Sequence, residues 1–94
     1  MAIISAKGKT DYGDLEVRIT GEDTVDTIEC RDLYIMDMIR KGIREGKGWL
    51  ANKYHPPKNT MLQAYAFLLS LFRSDDVKVY GEICKMPYQP GLVY

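Results

Sequence analysis

The longest apolar run of the chain is residues 60–73, TMLQAYAFLLSLFR. Pro56 and Pro57 exclude a helix that enters from upstream, and Thr60 and Gln63 have the spacing of a capping box at the start of this run. A helix of this length reaches only about 20 Å, whereas crossing a bilayer requires about 20 apolar residues. The pattern therefore predicts a buried core helix and no membrane partner.

The small and polar positions of this helix fall into one narrow stripe on the helical wheel, formed by Gln63, Ala66, Ser70 and Arg73. The apolar arc covers the rest of the circumference, which is more than one partner surface can bury. We expect one flank to pack on a sheet, another on a second helix, and only the stripe to face water. An apolar flank left exposed would be an interface with another subunit or protein.

Alternation of apolar and polar residues at every position of 15–20 predicts a strand with one buried face. Residues 2–9 and 24–29 predict two more strands, the second of them optional, and clusters of Asp, Gly and Glu separate the three segments. Residues 77–83 alternate again and predict a last strand. The strands before residue 30 therefore form an antiparallel meander.

At Asp32 the hydrophobic period changes from two to about 3.6, which predicts a helix with Asp32 as its N-cap. Its apolar face holds Ile35, Met36, Ile39 and Ile43. Its other face holds Asp37, Arg40, Lys41 and Arg44, with Asp37 and Lys41 spaced to form an ion pair. Gly46 or Gly48 is expected to end the helix in the left-handed conformation.

Two glycines stand where a side chain is expected. Gly42 lies inside the first helix, where glycine costs up to about 1 kcal/mol relative to alanine, and close approach to another backbone would explain it. Gly81 falls on the buried face of the last strand. There it leaves room for a helix side chain such as Tyr65 or Phe72, or marks a bulge.

The order β-β-(β)-α-α-β predicts an α+β two-layer sandwich, with an antiparallel sheet of three or four strands and two helices on one face. The chain has 94 residues and no dividing linker, so we expect a single domain over 1–94 with an extended tail at 86–94. Residues 46–59 are predicted to be an irregular connector between the helices. Its length exceeds what such a connection needs, which often indicates function.

Charge and composition restrict the functional classes. Thirteen basic and thirteen acidic residues give a net charge of zero, which removes the general electrostatic argument for nucleic-acid binding. The first residues lack a signal-peptide pattern, so a cytoplasmic location is expected. Cys30 and Cys84 are too few for a disulfide scaffold and are expected to be free, buried thiols.

The connector is the best functional candidate in the sequence. Residues 40–58 contain six cations and one acid, interleaved with aromatic and imidazole rings, and this combination suits phosphate and unstacked bases. The alternative is that Trp49 packs as a plug between the helices while the lysines stay solvated. The predicted binding residues are Arg44, Lys47, Trp49, Lys53, Tyr54, His55 and Lys58.

A complementary acidic segment spans residues 11–37, with nine carboxylates against Arg18 and Arg31. This polarity would steer a charged partner or favour head-to-tail self-association. The alternative is that the acids line the solvent edges of the sheet and oppose aggregation.

Chemical motifs are weak. Residues 42–48, GIREGKG, differ from a phosphate-binding loop in glycine spacing, and they follow a helix where that motif follows a strand. Cys30, Cys84 and His55 are too scattered to predict a metal site, and no cofactor is predicted. In the tail, Pro87 to Pro90 fits P-x-x-P, and residues 92–94 could extend a sheet edge.

The sequence therefore favours a small non-enzymatic binding or interaction module that contacts a protein partner or itself, as a homodimer. Short, neutral, motif-poor domains of this kind are frequent among bacterial and mobile-element accessory proteins. The alternative is a small nucleic-acid-binding protein that uses the connector over residues 44–58. A third hypothesis is a small enzyme that uses His55, the single histidine, as an acid or base.

Overall fold

The computed structural model of the chain describes residues 1–81, without the side chain of Ser74. The elements are β1 (Ala2–Thr10), β2 (Gly13–Gly21), β3 (Val25–Cys30), α1 (Leu33–Glu45), α2 (Trp49–Tyr54), α3 (Met61–Leu71), a 3₁₀ turn (Ser74–Asp76) and β4 (Val77–Tyr80). The antiparallel sheet has the order β3-β2-β1-β4. The predicted α+β two-layer sandwich is confirmed, including its third strand. The predictions for Ile83, Cys84 and the tail at 86–94 lie outside the described residues.

The inner face of the sheet carries the alternating apolar residues of the strands. Ile4 of β1 is buried at the centre, paired with Ile19 of β2 on one side and Val79 of β4 on the other. Val17 is buried next to Ile19 on the same face, so the alternation predicted for 15–20 is confirmed. This face supports the helices that build the site.

Gly81 does not accommodate a helix side chain. Its φ is +85°, and a Cβ placed there would lie 2.5 Å from the carbonyl oxygen of Met1. The expectation that Gly81 leaves room for Tyr65 or Phe72 is therefore wrong, because the backbone at the start of the chain occupies that space. The glycine permits close approach of two backbones at the end of β4.

Both predicted caps of α1 are confirmed. The Asp32 side chain accepts hydrogen bonds from the backbone N–H groups of Tyr34 (2.9 Å) and Ile35 (3.2 Å). Gly46 ends the helix in the left-handed region, with φ 71° and ψ 38°. Gly42 does mark a close approach, but its neighbour is a side chain: a Cβ there would lie 2.5 Å from Cε1 of Phe67 on α3.

The predicted core helix is confirmed over Met61–Leu71, with Thr60 as its N-cap, while Arg73 lies beyond its end. Of the two hydrogen bonds of a capping box, the helix makes one. The Thr60 hydroxyl accepts a hydrogen bond from the Gln63 backbone N–H at 3.1 Å. The Gln63 side chain points elsewhere, because its Nε2 donates to the Lys47 carbonyl oxygen at 3.3 Å. The amide thus ties the connector to α3 instead of completing the box.

The stripe of α3 does not face water as expected. Gln63 and Ala66 are fully buried, and Ser70 is half-buried. The reason is that the connector is only partly irregular: it contains α2, which packs over the stripe. Ser70 Oγ accepts a hydrogen bond from the Leu50 N–H at 3.3 Å and donates to the Ala66 carbonyl at 2.9 Å. Ser70 of the stripe thus serves to bind a third helix and not to face water.

Candidate functional site

A groove of about 590 Å³ lies between α1 and α3, next to the contact of Gly42 with Phe67. Three exposed aromatic side chains line it: Tyr12 (55% exposed), Tyr34 (81%) and Trp49 (54%). Its volume is within the range of about 300–1,000 Å³ that is usual for ligand pockets. We call this feature the aromatic groove.

The backbone that carries each of the three rings has a defined local feature in its own element. Tyr12 lies in the β1–β2 turn, where the Thr10 hydroxyl accepts a hydrogen bond from the Tyr12 N–H at 3.0 Å. Tyr34 follows the Asp32 N-cap in the first turn of α1. Trp49 begins α2 directly after Gly48, whose φ is +106°. Three separate elements therefore bring their rings to one groove.

The apolar part of the groove comes from the two long helices. Met38 of α1 and Leu71 of α3 are half-buried, and Phe67 of α3 is buried. Phe67 belongs to the hydrophobic core, and Met38 and Leu71 pack against that core. A ligand would find a supported apolar surface beneath the exposed rings.

The groove carries both signs of charge. Asp37 and Lys41 of α1 line it, and Lys47 lines it next to Trp49. Two ion pairs occur within 4.0 Å among residues 1–81; one joins Lys47 to Glu45 at 3.2 Å, and the other joins the N-terminus to Glu22. Asp37 and Lys41 belong to neither, so the ion pair that their spacing allows does not form.

The successive residues Trp49 and Leu50 differ in burial, and this difference decides between the two interpretations of Trp49. Trp49 is not the predicted plug, because more than half of it is exposed, whereas Leu50 is 1% exposed. Successive helical residues differ in direction by about 100°, and the start of α2 is bound to α3 through the Leu50 N–H and Ser70, with Leu50 as the buried residue of the two. The indole is therefore available to a ligand.

Two of the seven residues predicted from the connector, Lys47 and Trp49, line the aromatic groove. Arg44 is exposed in the last turn of α1. Lys53 is exposed on α2, and its ammonium lies 5.3 Å from the centre of the Tyr54 ring, a cation–π distance. Tyr54 itself is half-buried against the core. None of these three residues lines the aromatic groove.

The last two predicted residues lie beyond α2. His55 is the left-handed C-cap of α2 and is exposed, outside the groove. Lys58 packs its aliphatic stem near Gly46 at the end of α1, where a Cβ on the glycine would be 3.2 Å from Lys58 Cγ. Within residues 1–81, no three His, Cys, Asp or Glu side chains converge in a way that could hold a metal ion.

The acidic segment is distributed over the molecule. All nine of its carboxylate residues are exposed. Asp11 and Asp14 lie at the β1–β2 turn, whereas Glu22 and Asp23 lie at the opposite end of the hairpin. Of these nine residues, Asp37 lines the aromatic groove, and Asp11 precedes the lining residue Tyr12 in sequence.

Sequence reasoning missed most of the groove. The lining residues it did not select are Tyr12, Tyr34, Asp37, Met38, Lys41, Gly42, Gly48, Phe67, Ser70 and Leu71. One signal was present for Tyr34, an aromatic residue on the polar side of an amphipathic helix. For Tyr12 in its turn, the sequence carries no sign that the ring lies near α1.

Comparison of the chain with protein-family models, curated proteins and solved structures finds no match. None of the helices in the described part of the chain has the length and apolar content needed to cross a membrane.

Proposed function

We propose that this protein is a small non-enzymatic interaction module that binds a segment of a partner protein in the aromatic groove. The observation that carries the proposal is the meeting of three exposed rings over the apolar surface of Met38, Phe67 and Leu71. Aromatic and methionine side chains are enriched in protein interfaces, and Tyr and Trp supply contact area there at low entropic cost.

A protein partner is favoured over nucleic acid by the carboxylates beside the rings. Asp37 lines the groove, and Asp11 adjoins Tyr12. A phosphate backbone that stacked its bases on these rings would meet Asp37 as well as Lys41 and Lys47, and the chain has no net positive charge to strengthen its binding. Binding is also favoured over catalysis, because His55 lies outside the groove.

The test is selection of a phage-displayed library of random short peptides on the purified protein. The variant Tyr12→Ser/Tyr34→Ser removes two rings and keeps Trp49, the single tryptophan, as a fluorescent reporter. Tyr80→Ser is the matched control, since Tyr80 is 56% exposed but lies on β4, outside the groove. We expect enriched peptides to bind wild-type and Tyr80→Ser protein, to change Trp49 emission, and to lose binding to the double variant.

Other results would replace the proposal. Peptides that bind the double variant as well as wild-type protein would move the site elsewhere. Binding of a labelled oligothymidine that falls steeply with salt and is lost in Lys53→Glu/Lys58→Glu would support the nucleic-acid alternative. A sedimentation mass that halves in the double variant would make a second copy the occupant. The homodimeric state and the cytoplasmic location stay predictions.

A further inference from the structure

The order of charges along α1 defines the ligand more closely. Asp37 and Lys41 both line the aromatic groove and lie one helical turn apart, which separates them by about 6 Å along the axis. Tyr34 precedes Asp37 on the same side of the helix. The groove therefore has an acidic position followed by a basic position beside one apolar surface.

Neighbouring elements contribute further charges. Tyr12 also lines the groove, and the exposed Asp11 precedes it on the β1–β2 turn. Lys47 lines the groove as well, and its backbone N–H donates to the carbonyl oxygen of Gly42, the residue after Lys41. Lys47 forms an ion pair with Glu45, whereas Asp37 and Lys41 belong to neither of the two ion pairs among the described residues. Asp37 and Lys41 are thus the charges left for a ligand to pair.

We infer that the aromatic groove selects a peptide segment whose apolar anchor is flanked by a basic residue on one side and an acidic residue on the other. This inference rests on the proposed function. The anchor packs on Phe67 and Leu71, the basic side chain pairs with Asp37, and the acidic side chain pairs with Lys41. A segment with only acidic or only basic flanks leaves one like-charge contact, which disfavours it.

The experiment repeats the library selection on three proteins: wild-type, Asp37→Lys and Lys41→Glu. We expect wild-type protein to enrich peptides that carry both charges around an apolar anchor. The Asp37→Lys protein should enrich acidic flanks only, and the Lys41→Glu protein basic flanks only. In Trp49 fluorescence titrations, each reversed charge should weaken the wild-type peptide by about two- to fivefold, as exposed ion pairs do.

Arg40→Glu is the matched control for Lys41→Glu. Arg40 is an exposed residue of α1 that does not line the groove, so the variant changes the net charge equally without touching the site. It should enrich the same peptides as wild-type protein. Unchanged urea midpoints for all variants would exclude unfolding as the cause.

The results distinguish a failure of this inference from a failure of the proposed function. Peptides that require Tyr12 and Tyr34 but have the same charge composition with all three proteins would overturn the inference and leave the proposed function in place. An equal shift with Arg40→Glu would also overturn it, since the effect would then be one of net charge. If wild-type protein enriches no peptide, both the function and the inference fail.

Discussion

Two leucines on α3, three residues apart and therefore neighbours on the helix surface, mark where the buried core ends and the aromatic groove begins. Leu68 is fully buried on the face that also carries Met61, whose sulfur lies close to Gly21 of β2. Leu71 is half-buried and lines the aromatic groove. One continuous apolar run thus serves two purposes. The sheet side holds the fold together, whereas the groove side is supported by the core and still accessible.

The largest expected effect tests this difference directly. Leu68→Ala should lower the free energy of unfolding by about 2–5 kcal/mol, because it empties a fully buried site. Leu71→Ala should cost only about 1–2 kcal/mol, since part of its surface is already in water. Urea denaturation of both variants gives the two values. Equal losses would mean that Leu71 belongs to the core and that the groove is not a separate region.

The next test concerns the contact that joins the two regions. Gly42→Ala would place a methyl group 2.5 Å from Phe67 Cε1. Overpacking of this kind costs about 1–3 kcal/mol, and better helix propensity returns about 1 kcal/mol, so we expect a net loss of up to about 2 kcal/mol.

The companion variant Phe67→Leu identifies the cause of that loss. In the Phe67→Leu background, Gly42→Ala should be neutral or stabilising, because the edge of the aromatic ring is no longer there. A double-mutant cycle by urea denaturation measures the coupling between the two positions. If Gly42→Ala destabilises equally in both backgrounds, the Phe67 contact is not the reason for the glycine.

A smaller effect is expected where α2 docks on α3. Ser70→Ala removes the acceptor of the Leu50 N–H, so it should cost about 1 kcal/mol and weaken the start of α2. Asn52→Ala is the control, as an exposed α2 residue whose change should stay within about 0.5 kcal/mol. Thermal unfolding measures stability, and Trp49 emission should shift in Ser70→Ala alone. An unchanged spectrum would show that the hydroxyl does not position the indole.

Removal of an exposed tyrosine ring should have the smallest effect on stability and the largest effect on peptide binding. Tyr34→Ser and Tyr12→Ser each remove an exposed ring, so each should change the free energy of unfolding by no more than about 0.5 kcal/mol. Both should weaken the peptides selected on wild-type protein, as measured by Trp49 fluorescence. A loss of stability as large as that of Leu71→Ala would make these rings part of the structural core.

Local sequence patterns predicted most of the fold. Alternation placed β2, the change of period at Asp32 placed α1, and the proline pair followed by Thr60 placed the start of α3. These signals are local because caps and periodicity depend on residues within one or two turns of the chain. The two-layer arrangement followed, since apolar faces of this kind have few ways to be buried together.

The site was much less accessible to sequence reasoning. The cations and rings of the connector predict seven binding residues, and two of them, Lys47 and Trp49, line the aromatic groove. Of the others, Arg44 lies on α1, and the rest lie on α2 or after it. A run of residues close in sequence turns through all directions on a short helix, so sequence proximity does not bring its side chains to one surface.

By itself, the sequence determined the four strands and the helices α1 and α3, where α1 and α3 begin, and that an amphipathic sheet needs a helical layer. Only the tertiary structure decided that the connector contains α2 and docks on Gln63 and Ser70, that Leu50 is buried while Trp49 is exposed, and that Tyr12 and Tyr34 line one groove. The physical reason is range. Backbone hydrogen bonds and periodicity act over a few residues, whereas a groove is the space between elements that are distant in sequence and joined only by packing.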